Sequence, residues 1–245
     1  MRRRKLGQHY LIDGEVVSKI IENAAIKPHE RILEIGTGKG VLTKELVGLG
    51  ASLEAYEVDR VNLAATLAEL GPEKAVIHLR DAFKEHPNFD VLVSSLPYSR
   101  SASFVEWISR VSYNRAVVLL QDSFVAKMMS KPGTRDYRAI SVIAQISSEF
   151  TVLGRVGRTS FSPPPKVGSL ILSVRPRRRM NEAEISIIKR IFSLRRREVA
   201  SVGTTLRVDL AAERYERRRV YSLTPSEVLE ICERLAQAKP ERVRT

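Results

Sequence analysis

Cysteine occurs once in 245 residues, at Cys232, which excludes an internal disulfide and any cysteine-rich zinc site. Its neighbours Val228, Leu229, Ile231 and Leu235 fall at helical spacing, so a packed thiol is expected rather than a reactive one. No apolar run approaches eighteen residues, and the opening Met1-Arg2-Arg3-Arg4-Lys5 lacks the apolar segment of a signal peptide. Neither a membrane span nor secretion is expected, and the expected address is the cytoplasm. The four histidines, at 9, 29, 78 and 86, are scattered and outline no metal site. Asparagine and glutamine are sparse beside arginine and glutamate, a bias that fits a heat-adapted source. There is no internal repeat and no low-complexity tract.

Acid is also in short supply. The net charge is +13 and the pI about 10.1, a balance that calls for a polyanionic partner, most simply nucleic acid. The excess is uneven: residues 175–219 hold fourteen Arg or Lys against six acids, a net +8. Any one of these arginines reads equally well as a solvated, ion-paired surface residue. As a cluster, with Arg177, Arg178, Arg179, Arg195, Arg196 and Arg197 at its centre, they read as an RNA-binding surface.

Hydrophobic content of 43% and charged content of 28% are values of a globular chain, and the length allows one large domain with an appendage. Between residues 15 and 174 helical and extended patterns alternate. Strands are expected over Arg31 to Ile35, Ala51 to Glu57, Ala75 to Leu79, Val91 to Ser94 and Arg115 to Leu120, with helices over Glu15 to Ala25, Val41 to Leu49, Val61 to Leu70 and Ser101 to Arg110. Phe124 to Ser130 and Ala139 to Ser147 read as helices; Phe150 to Val156 and Ser169 to Val174 read as extended. This rhythm implies an α/β domain, a mostly parallel, Rossmann-like sheet with helices on both faces. From about residue 177 the pattern becomes wholly helical, over Glu182 to Leu194, Arg195 to Thr205 and Pro225 to Ala238. The expected domains are therefore 1–176 and a small basic all-helical 177–245.

Chemistry gathers at the strand ends. Gly36-Thr37-Gly38-Lys39-Gly40 joins a strand to a helix, where glycines permit a tight turn and close approach of a ligand. It is neither a Walker A loop nor the dinucleotide fingerprint, because both lack their required spacing here. The second strand closes on Glu57, an acid able to accept both hydroxyls of a ribose, and the third is followed by Asp81-Ala82-Phe83, suited to an adenine edge. The fourth runs into Ser95-Leu96-Pro97-Tyr98. A strand ending in a proline turn beside a core tyrosine is the plain alternative. The chemical reading is that an exocyclic amine on a nucleobase, whose lone pair is delocalised, needs acceptors to aim it. A side-chain oxygen and a backbone carbonyl held rigid by proline supply them, and Tyr98 offers a stacking face.

Taken in order, glycine loop, ribose acid, adenine-edge acid and Ser95-Leu96-Pro97-Tyr98 resemble the class I S-adenosylmethionine-dependent methyltransferases, the last being similar to the (N/D/S)PP(Y/F) element of amino-methylating members. Further segments narrow the likeness: Lys5-Leu6-Gly7-Gln8-His9-Tyr10-Leu11, Tyr137-Arg138-Ala139-Ile140-Ser141-Val142, Phe161-Ser162-Pro163-Pro164-Pro165-Lys166-Val167-Gly168-Ser169 and Ser193-Leu194-Arg195-Arg196-Arg197. Together they are similar to the rRNA adenine dimethyltransferases of the KsgA type, over roughly residues 2–235. The resemblance implies methyl transfer from S-adenosyl-L-methionine to the exocyclic amines of two adjacent adenosines near the 3′ end of small-subunit rRNA, on a pre-ribosomal small subunit. It implies that His9, Leu11, Gly36, Gly38, Glu57, Asp81, Ala82 and Ser95 contact the cofactor. Ser95, Leu96 and Pro97 would hold the target amine, with the base between Tyr98 and Phe161. Such a sandwich offsets unstacking by about 1–3 kcal/mol per stacked base. No general base is demanded, since alkylation at a sulfonium needs chiefly alignment. A monomer without membrane or metal partner is the simpler expectation.

The chain departs from that family's usual Asn-Leu-Pro-Tyr-Asn by carrying Ser95 and Ser99, and many members have asparagine where His9 stands. A serine hydroxyl is shorter than a carboxamide and donates as well as accepts. Slow transfer, a single methyl, or one adenosine rather than two are the outcomes this leaves open. A large-subunit rRNA adenine methyltransferase and an RNA-binding assembly factor with little transfer are the competing functions.

Overall fold

The computed structural model describes residues 8–71, 75–206 and 215–237. Lys5, Leu6 and Gly7 of the N-terminal motif, Arg207, Asp209, Glu213 and Arg214 of the basic stretch, and Ala238 at the expected end of the last helix lie outside the described residues.

A short strand β1 (Tyr10–Leu11) precedes helix α1 (Gly14–Ala24), whose N-terminus is capped by Asp13 accepting from the Glu15 and Val16 amides. There follow β2 (Arg31–Ile35), α2 (Val41–Val47), β3 (Ser52–Tyr56), α3 (Arg60–Leu70), β4 (Val76–His78), β5 (Val91–Ser95), α4 (Ser101–Ile108), β6 (Arg115–Gln121) and α5 (Asp122–Met128). After α6 (Ala139–Ser147) come β7 (Ser148–Val156), β8 (Phe161–Ser162) and β9 (Ser169–Pro176), then α7 (Glu182–Ser193), α8 (Val199–Leu206) and α9 (Pro225–Gln237). Seven strands form one sheet in the order β4-β3-β2-β5-β6-β9-β7. The first five run parallel, whereas β9 is antiparallel to both of its neighbours.

Both faces of this sheet are covered. Ile32, Val91, Val93, Val117, Leu119 and Ile171 pack with Val17, Ile20 and Ala24 of α1 and Leu42 and Leu46 of α2. The alternating residues Leu33, Leu92, Val118, Leu120 and Leu172 point the other way and are equally buried. The strand order reverses between β2 and β5, with β3 and β4 built outward from one and β6 from the other, and a ligand crevice belongs at the carboxyl ends of those two strands.

Contacts divide the chain into two compact units, 1–125 with 148–179, and 126–147 with 180–245. The sequence pattern groups residues 1–176 in one domain, and the difference is chiefly the α6 segment. Ser141, Val142, Ile143, Ala144, Ile146 and Ser147 of α6 are all buried; a helix apolar around most of its circumference needs helices on several sides. It finds them in α7 and α9, and Tyr137 just before it is fully buried edge-on to Phe192, with ring centroids 5.6 Å apart. Cys232 is buried on α9.

Two further expectations are corrected. Arg195, Arg196 and Arg197 form a turn and not the start of a helix, which begins at Val199. The carbonyls of Arg195 and Arg197 accept from the amides of Tyr221 and Val220, and Glu198 bridges to Arg219, so this stretch is paired across to a later segment instead of coiling on itself. The strand β1 was not anticipated either. It pairs with β8, Tyr10 opposite Ser162 and Leu11 opposite Phe161, and the clasp is reinforced by the Ser160 hydroxyl donating to Asp13 at 2.7 Å.

Candidate active site

The expected glycine loop lies at the end of β2. Gly36 and Gly38 have φ of +81° and +56°, conformations open to glycine. A side chain on Gly38 would meet the Tyr10 ring at 3.3 Å, while the Cβ position of Gly36 looks toward Pro97 Cδ at 4.0 Å. The Gly36 amide donates to the Tyr56 carbonyl at 2.7 Å, tying the loop to the end of β3. There Glu57, 4% exposed, accepts from the amides of Val58, Asp59 and Gly38 at 2.8, 2.9 and 3.0 Å. The acid at the end of β3 and the glycine loop at the end of β2 therefore fix one another.

Asp81 caps a short turn by accepting from the Phe83 amide at 3.1 Å and also pairs with Arg100, whose Nη2 lies 2.8 and 2.7 Å from its two carboxylate oxygens. Beyond β5, Pro97 opens a tight turn over Tyr98–Arg100, in which the Arg100 amide donates to the Pro97 carbonyl at 2.8 Å. That carbonyl is satisfied within the turn, so the carbonyl of Leu96 is the candidate to receive an amine.

These elements enclose a cavity of about 340 Å³, a size ordinary for a small-molecule site. It brings together His9, Leu11, Gly36, Gly38, Glu57, Asp81, Ala82, Ser95, Leu96 and Pro97. Tyr98 and Phe161 are not on it. They line an adjoining narrower cleft whose other walls are His9, Ser95, Leu96, Pro97 and Leu119, and which has no room for a water-sized sphere. His9 donates from Nδ1 to the Pro163 carbonyl at 2.8 Å, and its ring centroid is 5.4 Å from that of Tyr98. Phe161 is 3% exposed, and the Tyr98 hydroxyl is 2.7 Å from that of Ser169. Cavity and cleft share a wall made of His9, Ser95, Leu96 and Pro97.

Val58 and Glu34 are two of the several lining residues to which the sequence assigns no role. Val58, 57% exposed beside Glu57, had only its position after an acid to mark it. Glu34 stands at the strand end just before the glycine loop, where the sequence gives it no role of its own. It is fully buried in the cavity wall, and among the described residues neither carboxylate oxygen has a hydrogen-bond partner. Burial pushes its pKa up to about 8, with the Glu57 carboxylate adding to the rise and the nearby Thr43 hydroxyl tempering it. Thr43 Oγ1 likewise has no hydrogen-bond partner among the described residues. The signal available in sequence was an acid inside an otherwise apolar strand, Arg31-Ile32-Leu33-Glu34-Ile35.

None of the six arginines lines this cavity. Arg177, Arg178 and Arg179 follow β9, with Arg177 3.4 Å from Glu149, and Arg195 to Arg197 occupy the turn after α7. The Arg195 pKa is lowered by partial burial and by the neighbouring Arg138 and Arg196 charges, the mark of cations crowded together. Among the described residues no group of three His, Cys, Asp or Glu is placed to hold a metal ion, and no helix is long and apolar enough to cross a membrane.

The sheet order, its single reversed strand and a cavity at the switch point define the fold as that of class I methyltransferases. It is similar to a dimethyladenosine transferase from Plasmodium falciparum, with a TM-score of 0.79 and 22% identity over 94% of this chain and 98% of that one. It is similar also to the 23S rRNA methyltransferase ErmE, with a TM-score of 0.61 and 24% identity over 93% and 100%. At the level of sequence the chain belongs to the ribosomal RNA adenine dimethylase family, which it matches over residues 1–237. Relatives include the "Probable ribosomal RNA small subunit methyltransferase A" proteins of Pyrococcus abyssi, 32% identical over 95% of this chain and 91% of that protein, and of Methanothermobacter thermautotrophicus, 29% identical over 95% and 90%.

Proposed function

We propose that this chain transfers methyl groups from S-adenosyl-L-methionine to the exocyclic amines of adenosines, two adjacent ones near the 3′ end of small-subunit rRNA, during assembly of that subunit. The observation that carries this reading is the shared wall: one turn, Ser95 to Pro97, faces the cavity on one side and the Tyr98 cleft on the other. The residues present suit such a cofactor. Glu57 stands for the ribose hydroxyls, Asp81 for the adenine amine, the Gly36 and Gly38 backbone for the methionine portion, and Glu34 offers an unpartnered carboxylate for an ammonium group. When bound, the cofactor supplies an electrophilic methyl on a sulfonium.

The chain's own work is alignment. The Ser95 hydroxyl and the Leu96 carbonyl accept from the two N–H bonds of the target amine and turn its lone pair toward the cavity; Pro97 keeps the turn stiff. For the base to stack on Tyr98, the His9 ring must move aside, because the cleft is closed while the two rings touch. Opening brings Phe161 within reach as the second face. Basic residues of the helical unit, Arg195 to Arg197 among them, hold the RNA by its phosphates, with a steep salt dependence. That unit is not a removable tail, since α6 packs against α7 and α9, so its contribution is tested by Arg195→Ala, Arg196→Ala and Arg197→Ala together.

The decisive experiment incubates the protein with unmodified small subunits and labelled cofactor, then weighs the nucleosides. Dimethylated adenosine is expected, with Ser95→Asn raising the ratio of second to first methyl. Label found in large-subunit rRNA alone would assign the large-subunit reaction instead. Cofactor binding with no transfer to either would leave an assembly factor.

A further inference from the structure

Arg100 ends the turn that carries Pro97 and Tyr98, and its side chain runs back to the other end of the cavity. Its amide donates to the Pro97 carbonyl, so the residue is part of the turn's own hydrogen bonding. Its guanidinium carbon sits 4.8 Å from the centroid of the Phe83 ring, whose centroid is in turn 5.7 Å from that of Trp107. Nη2 alone reaches Asp81, at 2.8 and 2.7 Å from the two oxygens. Asp81 Oδ1 also accepts from the Phe83 amide, while among the described residues Oδ2 accepts from Arg100 only. Nε and Nη1 of Arg100 have no partner among the described residues, and the side chain is 40% exposed.

We propose that Arg100 is a positioning residue that couples the adenine end of the cofactor pocket to the turn that receives the target base. This rests on the cofactor reading given under Proposed function. An amino group on a purine that donates to Asp81 does so at Oδ2, where Nη2 of Arg100 is the one other donor among the described residues, and competes with it for the charge of that oxygen. The ion pair is charge-assisted and cannot be weakened at one end without loosening the other. A guanidinium released from Oδ2 recovers a donor and, with Nε and Nη1 already free, presents a fork suited to a phosphate of the incoming strand. Occupancy of the cofactor site then favours RNA binding, and by reciprocity RNA favours the cofactor.

The test measures the affinity of the full chain for an RNA hairpin bearing the two target adenosines, with and without saturating S-adenosylhomocysteine. Binding of the latter is followed independently through Trp107, the only tryptophan in the chain. Wild type is expected to bind the hairpin about five-fold more tightly or better in its presence. Arg100→Met should abolish that ratio while leaving hairpin binding through the basic residues, and Arg100→Lys, which restores a donor for Asp81 without the planar fork, should recover part of it. Melting curves for the variants exclude a folding defect. Full coupling retained by Arg100→Met, or none in a wild type that binds both ligands, overturns the proposal alone; a wild type that does not bind S-adenosylhomocysteine overturns the cofactor reading with it, and one that binds it but not the hairpin overturns the coupling.

Discussion

Two glutamates at opposite ends of one strand have opposite fates. Glu30, immediately before β2, is clamped by Arg115, whose Nη1 and Nη2 donate to its oxygens at 2.7 and 2.6 Å while Nε and Nη2 donate to the Ala24 and Ala25 carbonyls at the end of α1. Its pKa falls to about 2, chiefly because the guanidinium hydrogen-bonds the carboxylate. Glu34, four residues on, is more deeply buried and has no hydrogen-bond partner among the described residues, and its pKa rises to about 8. The first acid closes a structural joint between helix and sheet. The second is an unfinished interaction in the wall of a cavity. A buried acid completed by the protein stabilises the fold, whereas one left incomplete is available to a ligand.

Breaking the joint has the largest expected effect. Arg115→Met strands Glu30 in a site 7% exposed and removes the donors that Arg115 gives to the Ala24 and Ala25 carbonyls, and should cost about 3 kcal/mol or more in urea unfolding at pH 7. Because the folded-state pKa of Glu30 is depressed, its contribution is present above about pH 4.5 and is lost as pH falls through about 2. The gap between wild type and variant should therefore narrow in acid.

Completing the second acid has the reverse sign. Glu34 has a raised pKa, so the folded state holds its proton longer than the unfolded chain does, and stability declines as pH rises from about 4.5 to about 8. Glu34→Gln, which cannot ionise, should stabilise the ligand-free protein by about 2–3 kcal/mol at pH 7, and by almost nothing at pH 4. Melting temperatures across that range test it. The same variant should weaken the cofactor, and calorimetry in buffers of different ionisation enthalpy should register proton release on binding to wild type but not to the variant. A variant that binds equally well, with equal proton release, would remove Glu34 from the site. Smallest of all is the exposed Lys44–Glu69 pair at 2.7 Å: Lys44→Ala should leave the unfolding midpoint unchanged within error.

Much of this was legible beforehand because it is written in local pattern. Strand after strand was placed by apolar runs that end in glycine or acid, and Gly36, Glu57, Asp81 and Ser95 fell at successive strand ends because a parallel sheet brings consecutive carboxyl ends to one edge. What escaped had no local mark. Two residues of β1 are strand only because Phe161 and Ser162, some 150 positions away, offer a backbone to pair with. The apolar circumference of α6 says that it is enclosed, but not that α7 and α9 enclose it. Arg195 to Arg197 coil well in isolation and turn only because their carbonyls meet Val220 and Tyr221.

The sequence by itself determined the periods, the breaks and the order of chemical groups, since those depend on neighbours within a few residues and on one fixed handedness of crossover. The partners were settled in the folded chain: Arg115 answers Glu30, Glu34 has no answer among the described residues, Arg100 reaches Asp81, and His9 leans on Tyr98. Hydrogen bonds and desolvation act through space over a few ångströms, and distance along the chain carries no information about them until the sheet has closed.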